Sequence, residues 1–196
     1  MGEQLKIINI FGGPGCGKST TAAGLYRIMK LVGMKVELVT EYAKDLTWQK
    51  RYDLLKRDQL YIFAKQNRRL DILRDQVEWV VTDSPILIGF EYMTPDFFGP
   101  SGTETFKKLL LEMWETYDNH NFFLDRAKPY VQSGRTQTGE EAWKIDYNIR
   151  KTLDKYDILF KAIKGDANAS EKIFEELPVS LNEMNMKLSL DGQEDN

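Results

Sequence analysis

The eight residues Gly12-Gly13-Pro14-Gly15-Cys16-Gly17-Lys18-Ser19, with Thr20 next in line, constrain this chain more than any other feature. They fit the spacing GxxxxGK[ST] and lie between an apolar run, Ile7–Phe11, and a helix-forming stretch, Lys18–Leu31. A glycine-rich turn in that position lets successive backbone N–H groups face one point, and the helix that follows adds its positive dipole end. A lysine at the seventh place reaches the β- and γ-phosphates of a nucleotide, and a hydroxyl at the eighth suits Mg²⁺. The loop therefore predicts ATP and Mg²⁺ as ligands of Gly12 to Thr20, with Ser19 on the metal. An ordinary glycine-rich strand-to-helix turn is the alternative. By itself the loop does not say whether the phosphate passes to water, a protein or a small molecule.

A chain of 196 residues is long enough for one sheet-centred domain. We expect that domain to span residues 1–178, followed by a polar tail at 179–196. The net charge of −3 argues against a surface coated in nonspecific nucleic-acid contacts, though not against a local basic groove. Cys16 is the one cysteine, so no internal disulfide forms, and its place in the loop suits a small side chain. A reducing, cytoplasmic setting fits this. No leader peptide or long apolar span is legible, so no membrane contact is expected.

Strand-like and helix-like stretches alternate. After the first strand and helix, Gly33 closes the helix as a cap, and Lys35–Val39 reads as a second strand. Asp58–Arg74 has apolar residues at helical spacing, and Trp79–Thr82 is a third strand that Asp83-Ser84-Pro85 ends. A turn-rich loop from Thr94 to Gly102 leads to a helix over Glu104–Tyr117, then a short strand at Phe122–Leu124. Glu140–Lys155 places Ala142, Ile145, Ile149 and Leu153 on one helical face; Ile158–Ile163 reads as a fifth strand and Ser170–Leu177 as a last helix. The fold class is α/β: a parallel sheet covered by helices on both faces, with ligands at the carboxyl ends of its strands.

Three further features fall at those ends. Glu41, after strand two, can take the proton of an acceptor hydroxyl as the γ-phosphate departs, or can serve only the dipole of a following helix. Asp83, after strand three, suits Mg²⁺, its water shell or the acceptor; the alternative is a cap on the turn that Pro85 opens. The segment 125–139 carries Arg126, Lys128 and Arg135, with Gly134 as a hinge candidate, and reads as a cationic lid over the transferring phosphate or as a solvated loop. Lys18, Asp83, Glu41, Arg126 and Arg135 are thus the candidate catalytic residues. Lys50, Arg51, Lys56, Arg57, Lys65, Arg68, Arg69 and Arg74 form a basic stretch that suits a nucleotide or DNA strand, or solvated helix faces. Tyr42, Trp48, Tyr61 and Phe63 within it can stack on a base or fill the core, and Lys164 to Ala167, after the last strand, is expected on the adenine side because it resembles the loop that flanks adenine in adenylate-type kinases.

Together, Gly12–Ser19, Thr40-Glu41-Tyr42-Ala43-Lys44-Asp45-Leu46, Thr82-Asp83-Ser84-Pro85 and Gly134-Arg135-Thr136-Gln137 with Glu141-Ala142 and Ile145-Asp146 resemble the small P-loop kinases of bacteriophages. These are related to nicotinamide-riboside kinases and, more broadly, to thymidylate and deoxynucleoside kinases. The resemblance spans residues 5–177 and implies a three-layer sandwich with sheet order 2-3-1-4-5. It also implies phosphate transfer from ATP to a hydroxyl of a nucleotide-type acceptor, with Arg126 and Arg135 clamping the transferring group. Thymidylate and deoxynucleoside kinases usually carry arginine directly after the strand-three acid, where this chain has Ser84. Phage enzymes that phosphorylate 5-hydroxymethyluracil within DNA are the specific type implied, and the basic stretch suits a polymeric acceptor. A kinase of free nucleosides or monophosphates and a regulatory ATPase are the rivals.

Overall fold

The computed structural model of the protein describes residues 4–93, 95–127 and 138–179, with the backbone alone at 95–98. Its frame is five parallel strands: β1 (Lys6–Phe11), β2 (Val36–Val39), β3 (Trp79–Thr82), β4 (Asp118–Asp125) and β5 (Lys161–Lys164). Their order is β2-β3-β1-β4-β5, as the family resemblance implied. The helices are α1 (Lys18–Leu31), α2 (Tyr42–Trp48), α3 (Tyr52–Arg57), α4 (Gln59–Asp71), α5 (Pro95–Trp114), α6 (Gly139–Lys155) and α7 (Ala169–Glu175), with a 3-10 segment at Ile86–Tyr92.

Strand β1 is apolar on both sides because both sides are covered, as expected of a central parallel strand. Ile8 and Ile10 share a cluster with Leu25 and Met29 of α1 and Ile173 and Phe174 of α7. Phe11 points into the opposite cluster with Phe123 of β4, Leu110 of α5, and Ile149 and Leu153 of α6. These two cores make the three layers. In register, Ile8 lies opposite Val81 of β3 and His120 of β4, so the carboxyl ends of β3, β1 and β4 reach a common edge.

Several boundaries differ from the sequence expectation for local reasons. Residues between β2 and Asp58 form α2 and α3, divided at Lys50, whose φ of +58° turns the chain sharply. Neither helix carries enough periodic apolar residues to show in the sequence. The segment read as a loop from Thr94 is helical from Pro95, broken at Gly99, where φ is 65° and ψ 174°. Strand β5 starts at Lys161 rather than Ile158, because Asp157, at φ +53°, completes the end of α6 first. The tail beyond 179 lies outside the described residues, as does the 128–137 stretch that holds Lys128, Gly134 and Arg135.

Candidate active site

The carboxyl edge of the sheet presents, in spatial order, Glu41 after β2, Asp83 after β3, the glycine-rich loop after β1, Arg126 after β4 and Gly165 after β5. The loop holds its shape partly through Gly15 and Gly17, at φ +77° and +108°, a region that strains any side chain. Cys16 between them is buried in the cluster that contains Ile10 and Leu124, so its thiol is an anchor for the loop. Helix α1 begins directly after Gly17, which supplies no side-chain cap, and no acidic residue stands in its first turn. The backbone N–H groups of that turn have no intrahelical acceptor, leaving an uncapped positive end beside the exposed Ser19 and Thr20. The Lys18 ammonium donates to the carbonyls of Gly12 (2.6 Å) and Gly13 (3.0 Å), arched over the loop that precedes it.

On the β2–β3 side neither carboxylate forms an ion pair among the described residues. Glu41 stands at the N-cap of α2, where its charge faces the positive end of that helix, but its side chain makes no capping hydrogen bond. Burial raises its carboxyl above the ordinary glutamate value; the nearby Lys18 charge lowers it and the Asp83 charge raises it again. These three groups therefore sit within electrostatic reach of one another. Asp83 is 4 % exposed, and its buried Oδ1 has no hydrogen-bond partner among the described residues. It does not cap the following turn, because the Thr82 hydroxyl accepts from the Ser84 N–H instead, at 3.1 Å. A buried carboxylate oxygen left without a donor is costly unless something else binds there.

Tyr92, at the end of the 3-10 segment, is a neighbour that the sequence did not reveal. Although the residue is 40 % exposed, partial desolvation of its phenol and the charges of Glu41 and Glu91 hold it above the usual tyrosine value. A depression beside Ser84 is lined by Phe63, Gln66, Ile86, Met93 and Phe106. It lies between α4, the 3-10 segment and α5, with Ala43 of α2 at its rim.

On the β4 side the charges nearest the loop, Arg126 and Asp146, are paired with each other. Arg126 donates through Nε and Nη2 to Oδ2 of Asp146 (3.1 and 2.8 Å) and through Nη1 to the Pro14 carbonyl (2.9 Å). Asp146, on α6, accepts from the Gly13 N–H through Oδ1. Arg150 pairs with Asp125 in the same region. Thr138 and Glu141 cap the start of α6 reciprocally, so the helix begins firmly where the described residues resume. Beyond β5, Gly165 touches the loop so closely that a Cβ there would meet the Cys16 carbonyl at 2.7 Å.

The basic stretch divides in two. Arg51 pairs with Asp53, Arg68 and Arg74 with Asp71, and Arg69 with Asp45, while Lys50, Lys56 and Arg57 make no ion pair among the described residues. Of its aromatics, Tyr42 and Tyr61 hydrogen-bond each other at 2.8 Å, Phe63 packs against Phe106, and only Trp48 stands out, at 71 % exposure.

With this geometry in place the comparisons with known proteins are informative. The model of the AAA domain matches residues 7–169, most of the chain. The chain belongs to the AAA domain family. No curated protein matches it. Among solved structures, NadR in complex with NAD and AMP-PNP is similar at 12% identity and a TM-score of 0.59, covering 90% of this chain and 51% of that one. The chain thus spans about half the length of NadR (51%). Deoxyadenosine kinase from M. mycoides with dATP bound is similar at 19% identity and a TM-score of 0.51, over 88% of this chain and 99% of that one. At such identities the likeness is one of fold: this AAA-family chain shares the parallel-sheet architecture of NadR and deoxyadenosine kinase. Among the described residues no helix is long and apolar enough to cross a membrane.

Proposed function

We propose that the protein is an ATP-dependent kinase that transfers the γ-phosphate to a hydroxyl of a nucleotide-type acceptor. The observation that carries this is the trio at adjacent strand ends: the Lys18 ammonium over the loop, the partnerless Asp83 carboxylate and the desolvated Glu41. Phosphoryl transfer asks the protein chiefly for positioning and charge stabilisation. The loop N–H groups and Lys18 hold the β- and γ-phosphates. Glu41, held basic by burial, accepts the hydroxyl proton as the acceptor oxygen attacks phosphorus, and ADP leaves with the bridging oxygen. Arg135, and Arg126 if its pair opens, would answer charge on the equatorial oxygens.

Magnesium fits the residues present. The buried Asp83 Oδ1, without a hydrogen-bond partner among the described residues, is the kind of hard oxygen that suits this ion or its water shell. Ser19 and the free Asp83 oxygen are the groups that would hold it, directly or through its water shell. When bound, the ion neutralises charge on the β- and γ-oxygens.

Two observations bear on the acceptor. The neighbours in this fold were solved with nucleotide-type ligands, including NAD and dATP. Following Glu41, α2, α3 and the turn between them display the exposed Trp48 with Lys50, Lys56 and Arg57, which make no ion pair among the described residues, a surface suited to stacking on a base and to phosphates. On the resemblance to phage kinases, which this surface suits, we propose 5-hydroxymethyluracil in phage DNA as the specific acceptor, in a host-cell cytoplasm. Incubation with γ-labelled ATP and hydroxymethyluracil-containing DNA, beside a panel of free nucleosides and monophosphates, tests both levels. Label in DNA supports the specific acceptor. Label only in free nucleosides or monophosphates replaces it with the free-acceptor kinase, and hydrolysis without any labelled acceptor replaces the kinase with a regulatory ATPase.

A further inference from the structure

One buried charge at the site is not used by the transfer chemistry. Asp146 lies on the inward stripe of α6, between Ala142 and Ile149, and is 8 % exposed. Its two oxygens serve different partners: Oδ1 accepts from the Gly13 N–H, and Oδ2 accepts from Arg126. The Gly13 N–H belongs to the same peptide group as the Gly12 carbonyl, and that carbonyl accepts from Lys18 at 2.6 Å. In a trans peptide the N–H and C=O point in opposite directions in one plane, so fixing the N–H aims the carbonyl. Asp146 thus grips one side of a rigid plate whose other side grips the Lys18 ammonium.

Two neighbouring contacts hold the plate from further points. The next carbonyl, that of Gly13, also accepts from Lys18, at 3.0 Å, and the one after it, of Pro14, accepts from Arg126 at 2.9 Å. Arg126 returns to Asp146, which closes a ring of contacts through the first three residues of the loop. The approach is tight: a Cβ on Gly13 would stand 2.7 Å from Asp146 Oδ1 and 2.8 Å from the Ala142 carbonyl. Gly13 is therefore glycine because α6 lies against it; unlike Gly15 and Gly17 it has no positive φ to explain it.

We propose that Asp146 is a positioning residue for Lys18, acting through the Gly12–Gly13 peptide and braced by Arg126. It touches no phosphate; it sets the direction from which the ammonium meets one. A negative charge behind the N–H also polarises the peptide, strengthening the carbonyl's hold on the ammonium. This rests on the loop binding a nucleoside triphosphate, but not on any acceptor.

The test is a double-mutant cycle read by binding of AMP-PNP with magnesium, measured calorimetrically on the full chain. Asp146→Ala should weaken AMP-PNP binding about tenfold, the lower range for a hydrogen bond to a charged group. In a Lys18→Ala background the same substitution should change affinity less than about twofold, because the group it positions is gone. A scaffold role alone predicts equal losses in both backgrounds, and that result, or an unchanged affinity in Asp146→Ala itself, overturns the proposal. Should Lys18→Ala bind too weakly to measure, or Asp146→Ala fail to fold, the Asp146→Asn variant decides by NMR of the Lys18 side chain. A shift of its signal towards that of free lysine supports the proposal, and an unmoved signal overturns it. Because the readout is binding, failure of the phosphate-transfer assay and failure of this cycle are separate events.

Discussion

The two flanks of the glycine-rich loop are built on opposite principles. On the β2–β3 flank, Glu41 and Asp83 are desolvated without a capping contact for the one and without a donor for one oxygen of the other. On the β4–α6 flank, Arg126 and Asp146 have side chains only 3% and 11% exposed, yet they are joined to each other and to the loop backbone. Buried charge without a partner is a standing cost that only a ligand or a reacting group can relieve. Buried charge with all its partners holds a shape. On the proposed reading the first flank would serve the chemistry and the second the geometry, with Arg126, held by Asp146 and the Pro14 carbonyl, as a brace.

Substitutions on the two flanks should therefore separate activity from stability. Glu41→Gln should lower the transfer rate by about 10²- to 10⁴-fold, the usual worth of a general base, with little change in nucleotide binding. The pH profile sharpens this. Burial raises the Glu41 carboxyl, so its protonation should cut the rate at a pH above the 4.5 of an ordinary glutamate, and that acid limb should vanish in Glu41→Gln. A limb at or below that value would remove Glu41 as the base. Asp83→Asn should cost roughly 10²- to 10³-fold in rate. Its denaturation midpoint should be no lower than that of the parent, since no hydrogen bond to Oδ1 is lost. A large fall would show that the oxygen is satisfied in solution.

Arg126→Met inverts the pattern. Removing one partner of a buried pair leaves Asp146 uncompensated, so urea denaturation should show a loss of about 3–5 kcal/mol. By contrast, Arg68→Ala, in an exposed pair with Asp71 away from the loop, should cost no more than about 1 kcal/mol. If the two losses were equal, the second flank would not be a brace. The smallest effect belongs to Trp48→Ala on the exposed end of α2, within about 0.5 kcal/mol of the parent in stability. Transfer to a free nucleoside should be unaltered, while transfer to DNA should weaken as the stacking surface goes.

The sequence made the loop, the alternating elements and the catalytic candidates legible because each has a local signature: glycine spacing, apolar periodicity, or a carboxylate at the end of an apolar run. Asp146 also left a trace, as a charge set inside the stripe Ala142, Ile145, Ile149, Leu153, but periodicity alone could not say what it touched. Tyr92 left none, for its 3-10 segment has no distinguishing pattern. Helices α2 and α3 were hidden because each is under two turns of apolar periodicity long, and the fall of the basic stretch into paired and unpaired halves depends on residues distant in sequence, such as Arg69 with Asp45.

By itself the sequence determined that this chain is a parallel α/β protein with a phosphate-binding loop, because turn chemistry and hydrophobic period act over a few residues. Only the tertiary structure decided which charges at that loop are free and which are spent. Partnership is a matter of atoms within about 3 Å, and residues such as Gly13 and Asp146 reach that distance across 133 positions of chain only when the sheet and α6 are packed together.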